Sequence, residues 1–219
     1  MNIKSYTGIV DYGVGNLRSV FNAIKAVGGE PVLSDSADVL LDCDRLVLPG
    51  VGAFPHGMAE LQKRGLGDVI KKFARDGRPI LGICLGMQLL ALKSYEFGET
   101  KGLGLAHGEI SLLRPTNTDQ ILRLPHVAWK QLRRTKNEVD WLFDNVNPEA
   151  KFYFIHSYAM SYDSENVVAT SEHDGVPFGA VLRAENVVGT QFHPEKSGPE
   201  GLKIIRNFII NGKFYERFG

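Results

Sequence analysis

The sequence predicts an α/β fold: a mostly parallel central sheet flanked by helices, with an antiparallel strand extension in the second half. In the first half, short apolar β-prone runs alternate with amphipathic stretches, the pattern of βα units whose parallel strands are covered on both faces. In the second half, strand-like runs follow one another across turn residues with almost no helical periodicity. The chain has 219 residues and 43% apolar content, enough for one sizeable core, so residues 1–219 are read as one domain.

The first strand is TGIV at 7–10. Leu17, Val20, Phe21, Ile24 and Val27 then recur at helical spacing, so a helix follows. PVLS (31–34) and RLVLPG (45–50) read as strands, GDVIKKFARDG (67–77) as a helix and PILGIC (79–84) as a buried strand. The apolar run continues into LGMQLLALKS (85–94), read as a helix. EISLLR (109–114), KFYFIHSYAM (151–160), NVVATSEH (166–173) and FGAVLRAENVVGTQFH (178–193) are strand-like, and GPEGLKIIRNFIING (198–212) is the last helical pattern. RPTNTDQILR (114–123) is the one long polar connection, and no repeat of fixed period is visible.

Twenty-five basic residues balance twenty-five acidic ones, which leaves no global field to recruit nucleic acid or an anionic membrane. The start, MNIKSYTGIVDYG, lacks an apolar core of signal-peptide length, and the apolar stretch 79–92 is broken by glycines and Gln88 short of a membrane span. A cytoplasmic protein is expected. Two cysteines, Cys43 and Cys84, cannot build a disulfide framework, and neither stands in a zinc-ligand pattern. No metal or cofactor is expected.

Chemistry concentrates around Cys84. In LGICLGMQ a buried strand feeds a helix through G-x-C-x-G, the form of the G-x-S-x-G nucleophile elbow. Side chains at Gly82 and Gly86 would collide in so tight a turn. The helix N-terminus would lower the thiol pKa, and the N–H of Leu85 would point at a developing oxyanion. A lone cysteine in an apolar strand is otherwise inert core, the reading given to Cys43. Of six histidines, only His193 in GTQFHPEKSG ends a buried strand with a carboxylate, Glu195, two residues on. Taken alone this is more often a solvated turn; beside the elbow it completes a nucleophile, base and orienter for acyl transfer. Gly13, Gly15 and Asp35 imitate a dinucleotide fingerprint, but Arg18 occupies the third glycine position and no P-loop motif exists, so no nucleotide is expected.

GICLGMQ with QFHPEKS resembles the class I (triad) glutamine amidotransferases. Within that superfamily DYGVGNLRSV, LPGVGAF, FIHSY and QFHPEKSGPEGLKIIRNF are similar to the HisH family, the glutaminase subunits of imidazole glycerol phosphate synthase, over essentially the whole chain. The resemblance implies a flavodoxin-like fold and hydrolysis of glutamine to glutamate and ammonia through a thioester on Cys84, with His193 as base and Glu195 as its orienter. It implies that the N–H groups of Gly52 and Leu85 form the oxyanion hole and that Gln88, Ser157 and Tyr158 contact glutamine. It further implies a heterodimer with a HisF-like (βα)8 barrel synthase in histidine biosynthesis, with Lys196, Trp129 and His126 at the interface. The family segment Pro-His-Met-Gly-Trp-Asn reads PHVAWK at 125–130 here, departing at Val127, Ala128 and Lys130. Two alternatives therefore stay open: a paralogue feeding ammonia to a sugar amidotransferase of surface-polysaccharide synthesis, and an inactive binding or regulatory module.

Overall fold

The structure is a computed structural model that describes residues 5–115, 121–136 and 139–211; the middle of the polar connection, 116–120, lies outside them. The elements run β1 (Tyr6–Val10), α1 (Leu17–Ala26), β2 (Glu30–Ser34), α2 (Ala37–Leu41), β3 (Arg45–Leu48), α3 (Phe54–Lys63), α4 (Leu66–Arg75), β4 (Ile80–Ile83) and α5 (Leu85–Leu89). Short strands follow: β5 (Lys93–Ser94), β6 (Thr100–Lys101), β7 (Glu109–Leu112), β8 (His126–Gln131) and β9 (Arg133–Arg134). The chain continues through β10 (Lys151–His156), β11 (Tyr158–Met160), β12 (Val167–His173), β13 (Val176–Ala184), β14 (Val187–Thr190) and α6 (Gly198–Asn211).

Five strands form a parallel core in the order β2-β1-β3-β4-β14. Antiparallel β13 then joins β14, and β12, β11 and β7 pair antiparallel beyond it, the predicted extension. Successive residues of a strand point to opposite faces, and two apolar layers result. Ile9, Val47, Leu81 and Ile83 pack on one side with Val20 and Ile24 of α1 and Ile204 and Phe208 of α6. Val10, Leu46, Leu48 and Ile80 pack on the other with Phe54, Ile70, Phe73 and Met87. Strands buried on both faces carry near-continuous apolar runs, as β3 and β4 do.

Several expectations are corrected. Helices α2 and α3 were not anticipated; α3 begins with Pro55 in its first turn, where a missing N–H costs nothing. The helix after Cys84 stops at Leu89 instead of continuing through Ser94. The following loop ends it: Leu103 N–H donates to Leu89 O, Leu105 and Ala106 N–H to Leu90 O, and Gly104 N–H to Ala91 O. KFYFIHSYAM is two strands divided at Ser157: β11 belongs to the large sheet, whereas β10 pairs with β8 in a separate two-stranded sheet.

Candidate active site

The cavity that holds Cys84 opens at the carboxyl ends of β3 and β4, the place where open α/β sheets present their loops to ligands. It encloses about 280 Å³ and is lined by Val51, Gly52, Cys84, Leu85, Gln88, Glu96, Pro125, Ile155, His156, Ser157, Tyr158 and Lys196. Cys84 sits at φ 53° and ψ −109°, left-handed backbone that a non-glycine residue occupies only under constraint. Its N–H donates to Thr190 O at 2.7 Å, and its carbonyl receives Gln88 N–H at 3.1 Å. Both glycines of the elbow are sterically required. A Cβ on Gly82 would stand 2.8 Å from the Met87 backbone, and one on Gly86 would stand 1.7 Å from Leu48 O.

Parallel pairing of β14 with β4 brings His193 toward the Cys84 thiol: Thr190 is in register with Ile83, so the chain leaving β14 runs beside Cys84. His193 is 2% exposed. Its N–H donates to Tyr153 O at 3.0 Å, and its carbonyl accepts the Ser197 hydroxyl at 2.6 Å. Nδ1 meets Glu195 Oε1 at 2.8 Å, with both side chains 2% exposed, so the carboxylate fixes the Nδ1–H tautomer. Burial lowers the imidazole pKa, but the Cys84 and Glu195 side chains outweigh it and raise the value to about 9. Nε2 makes no hydrogen bond of ordinary geometry among the described residues; hydrogen bonds of this kind are often long until substrate is bound.

The loop at 49–52 is held from behind. Tyr12, wholly buried, donates its hydroxyl to Pro49 O at 2.8 Å, and a Cβ on Gly50 would meet that hydroxyl at 2.2 Å. Burial, then the Cys84 charge, push the Tyr12 pKa upward, so it stays a donor. Of the DYGVGN glycines, Gly15 serves the cavity loop: Gly13 and Gly15 have φ of 80° and 123°, and Gly15 lies against Gly50 whereas Gly13 lies against Arg64. Gly52 has φ 103° and shares the cavity with Leu85, which opens α5 and so has no hydrogen-bond acceptor one turn back.

Gln88 is 5% exposed and donates Nε2 to Tyr158 O at 2.8 Å and to Gln191 Oε1 at 3.0 Å. Ser157 and Tyr158 line the same wall. Glu96 and Tyr12 were missed from the sequence. Glu96 Oε2 accepts Phe54 N–H at the start of α3, at 2.7 Å, while the side chain faces the cavity. Neither carries a local pattern; only the folded loops reveal them.

Lys196 lines the mouth, with Nζ 5.9 Å from the centre of the Tyr153 ring, and the Trp129 ring lies 5.8 Å from the same ring. The exposed face of the β8–β10 sheet is apolar in two of its three pairs: Val127 opposes Ile155 and Trp129 opposes Tyr153, with Val127 53%, Trp129 49% and Ile155 39% exposed, while Gln131 opposes Lys151. His126 does not belong there. Three residues before Trp129 on one strand, it must face the other way, and it is 0% exposed, 5.2 Å from the His156 ring and 4.3 Å from that of His173. Neither of its ring nitrogens has a hydrogen-bond partner among the described residues, where no group of three or more His, Cys, Asp or Glu is arranged to hold a metal.

The model of the family described as glutamine amidotransferase class-I matches residues 9–211. The imidazole glycerol phosphate synthase subunit HisH 1 of Legionella pneumophila (strain Lens) is 43% identical to this chain over 210 residues, 94% of this chain and 99% of that protein. The subunit HisH of Aquifex aeolicus (strain VF5) is 44% identical over 203 residues, 92% and 95% of the two chains. Among solved structures, PurLQS from Thermotoga maritima superposes with a TM-score of 0.70 at 24% identity, covering 95% of this chain and 99% of that one. A structure described as a glutamine amidotransferase gives 0.69 at 19% identity, covering 94% and 98%. These two similarities are of fold.

Proposed function

The chain belongs to the class-I glutamine amidotransferases, and from that premise we propose that it is the glutaminase subunit of an imidazole glycerol phosphate synthase, acting in histidine biosynthesis in the cytoplasm. Residues 1–219 serve as one amidotransferase domain in this reading. The observation that carries it is the strained Cys84 elbow beside the buried 2.8 Å His193–Glu195 pair. The pathway is supported by relatives of 43% and 44% identity that bear the HisH name.

Glutamine enters with its side-chain amide at Cys84. His193 takes the thiol proton, sulfur attacks the amide carbon, and the tetrahedral oxyanion is met by the N–H groups of Gly52 and Leu85. His193 returns the proton to the departing nitrogen, and ammonia leaves a Cys84 thioester. Water, deprotonated by His193, then attacks the thioester and releases glutamate. Glu195 holds the imidazole in one tautomer and stabilises its charged form. Gln88, Ser157 and Tyr158 position the substrate, and the Glu96 carboxylate is placed to take its α-ammonium group.

The ammonia acceptor is a HisF-like (βα)8 barrel docked on the exposed β8–β10 face. That face is mostly apolar, adjoins the cavity through Ile155, and gathers Trp129 and Lys196 near the Tyr153 ring, a composition suited to a partner. Of the three departures in PHVAWK, Ala128 and Lys130 alternate with the exposed face, and only Val127 lies on it. The docking surface is therefore little changed by them.

The complex tests this. Cys84→Ser should lower glutamine-dependent product formation by more than about a thousandfold and leave ammonia-dependent formation intact. Loss of both activities would make Cys84 a structural residue, and an unaffected glutamine-dependent rate would end the thioester mechanism. Failure of the wild-type gene to restore growth of a histidine auxotroph lacking this subunit would end the pathway assignment.

A further inference from the structure

Gln191 is wholly buried two residues before His193. Its side chain bridges Gln88 and the nucleophile: Oε1 accepts from Gln88 Nε2 at 3.0 Å, and Nε2 approaches Cys84 Sγ at 3.7 Å. A primary amide can be turned end for end, so its direction has to be fixed by a neighbour whose role is not in question. Tyr158 supplies that neighbour. Its backbone carbonyl can only accept, and it takes Gln88 Nε2 at 2.8 Å. Gln88 therefore presents its other amide hydrogen to Gln191, the Gln191 carbonyl answers it, and the Gln191 amino group is left facing sulfur.

The second polar contact of Sγ is the Ile155 carbonyl at 3.9 Å. The two contacts favour opposite protonation states. A thiol has a hydrogen to give to Ile155 O, whereas a thiolate has only lone pairs, which the Gln191 N–H satisfies through a charge-assisted bond. We infer that Gln191 is a thiolate-positioning residue: its amide N–H holds the Cys84 sulfur in the attacking state, and its carbonyl ties that donor through Gln88 to the backbone of the substrate wall. The inference rests on Cys84 being the nucleophile of a glutaminase. It adds a neutral donor to the sulfur besides the His193 base, and it links a substrate-contacting residue to the reactivity of the thiol.

Other titratable groups face the site from each neighbouring element: His193 with Glu195 after β14, Tyr12 after β1, His156 at the end of β10, and Glu96 and Lys196 in the cavity wall. Substitutions of Gln191 should therefore be uncharged. The test is the pH dependence of Cys84 alkylation by iodoacetamide in the full chain, where sulfur forms a bond to the acetamide carbon and iodide leaves. Peptide mass separates Cys84 from Cys43. Gln191→Met keeps length and removes the donor. It is expected to move the Cys84 profile upward by about half to one pH unit, to slow alkylation about three- to tenfold on the acid limb of that profile, and to lower kcat for glutamine more than it changes KM. Should that variant not fold, Gln191→Asn retains the interior amide and draws the donor back from sulfur by one methylene, with the same expected direction. An unmoved profile in a folded variant, matching wild type in circular dichroism and unfolding midpoint, would overturn the inference and leave Gln191 as packing. Alkylation needs no glutamine turnover, so a wild-type chain that alkylates normally but never hydrolyses glutamine, even with its synthase, would defeat the glutaminase reading separately.

Discussion

Cys84 and its glycines divide one steric problem among three residues. The left-handed φ falls on the cysteine itself at 53°, while Gly82 and Gly86 are needed for close approach. That a tight turn would exclude side chains there was legible in G-x-C-x-G. The identity of one obstacle was not: Gly82 is crowded by Met87 within the turn, but Gly86 at the start of α5 is crowded by Leu48 O at the end of β3, a contact between elements far apart in sequence that spacing cannot reveal. Gly86→Ala should therefore cost about 3 kcal/mol or more, because a backbone carbonyl cannot yield as a side chain can. Gly52 is the contrasting case. A Cβ there meets nothing within 4 Å, but φ is 103°, so Gly52→Ala strains the loop without overpacking it. Its expected effect is a fall in kcat of about ten- to a hundredfold from displacing the proposed oxyanion donor, with a stability loss of only about 1–2 kcal/mol. Urea unfolding and steady-state glutaminase assays on the two variants should give opposite orders of damage. Equal stability loss in both would show that loop strain, not close approach, dominates.

At the scale of elements, the β8–β10 sheet is the face that the proposed complex offers to its partner. Alternation along β8 exposes Val127, Trp129 and Gln131 and turns His126 inward; once the segment is known to be a strand, Trp129 and His126 cannot share a surface. Reading PHVAWKQL as a named motif without its period is what placed both at the interface. The two-strand nature of KFYFIHSYAM was hidden for a related reason: apolar runs of this kind show strand propensity but not which sheet receives them, and the change of sheet happens at the single residue Ser157. Trp129 is the largest half-exposed side chain on the outer face, and large aromatics at the centre of an interface carry a disproportionate share of affinity. Trp129→Ala should raise the Kd for the barrel synthase about ten- to a hundredfold while leaving Cys84 alkylation of the isolated chain unchanged. Titrating synthase-stimulated glutaminase activity measures the first quantity directly. An unchanged Kd would move the docking face elsewhere.

In the whole molecule, parallel pairing joins β3, β4 and β14 so that the cavity loop, Cys84 and the segment carrying His193 leave the same sheet edge. The alternation of βα units made the sheet legible; the adjacency of Thr190 to Ile83 was not, since nothing local couples positions so far apart in sequence. The same assembly buries a cluster of histidines behind the catalytic wall, and this gives stability a pH dependence with a definite sign. Burial, then the neighbouring His173 charge, lower the His126 pKa to about 4. Burial, then His126, lower that of His156 to about 3. In the unfolded chain both titrate near about 6.5. Above that value neither state binds the protons and their contribution is complete; as pH falls from about 6.5 toward 4 the unfolded chain binds protons that the folded one refuses, and stability is lost. His193 acts in the other direction. Raised to about 9, it contributes fully below about 6.5, and that contribution disappears as pH rises through 9. Stability should therefore peak near neutrality and fall on both sides. His126→Leu removes a buried imidazole whose nitrogens have no hydrogen-bond partner among the described residues, so it should be close to neutral or stabilising at pH 7.5 and should recover on the order of 2 kcal/mol at pH 5. Urea midpoints for wild type and variant at pH 7.5, 6 and 5 separate the histidine cluster from carboxylate protonation: a gap between the two proteins that widens toward acid marks the histidine, whereas parallel declines would assign the acid limb to the acidic side chains instead.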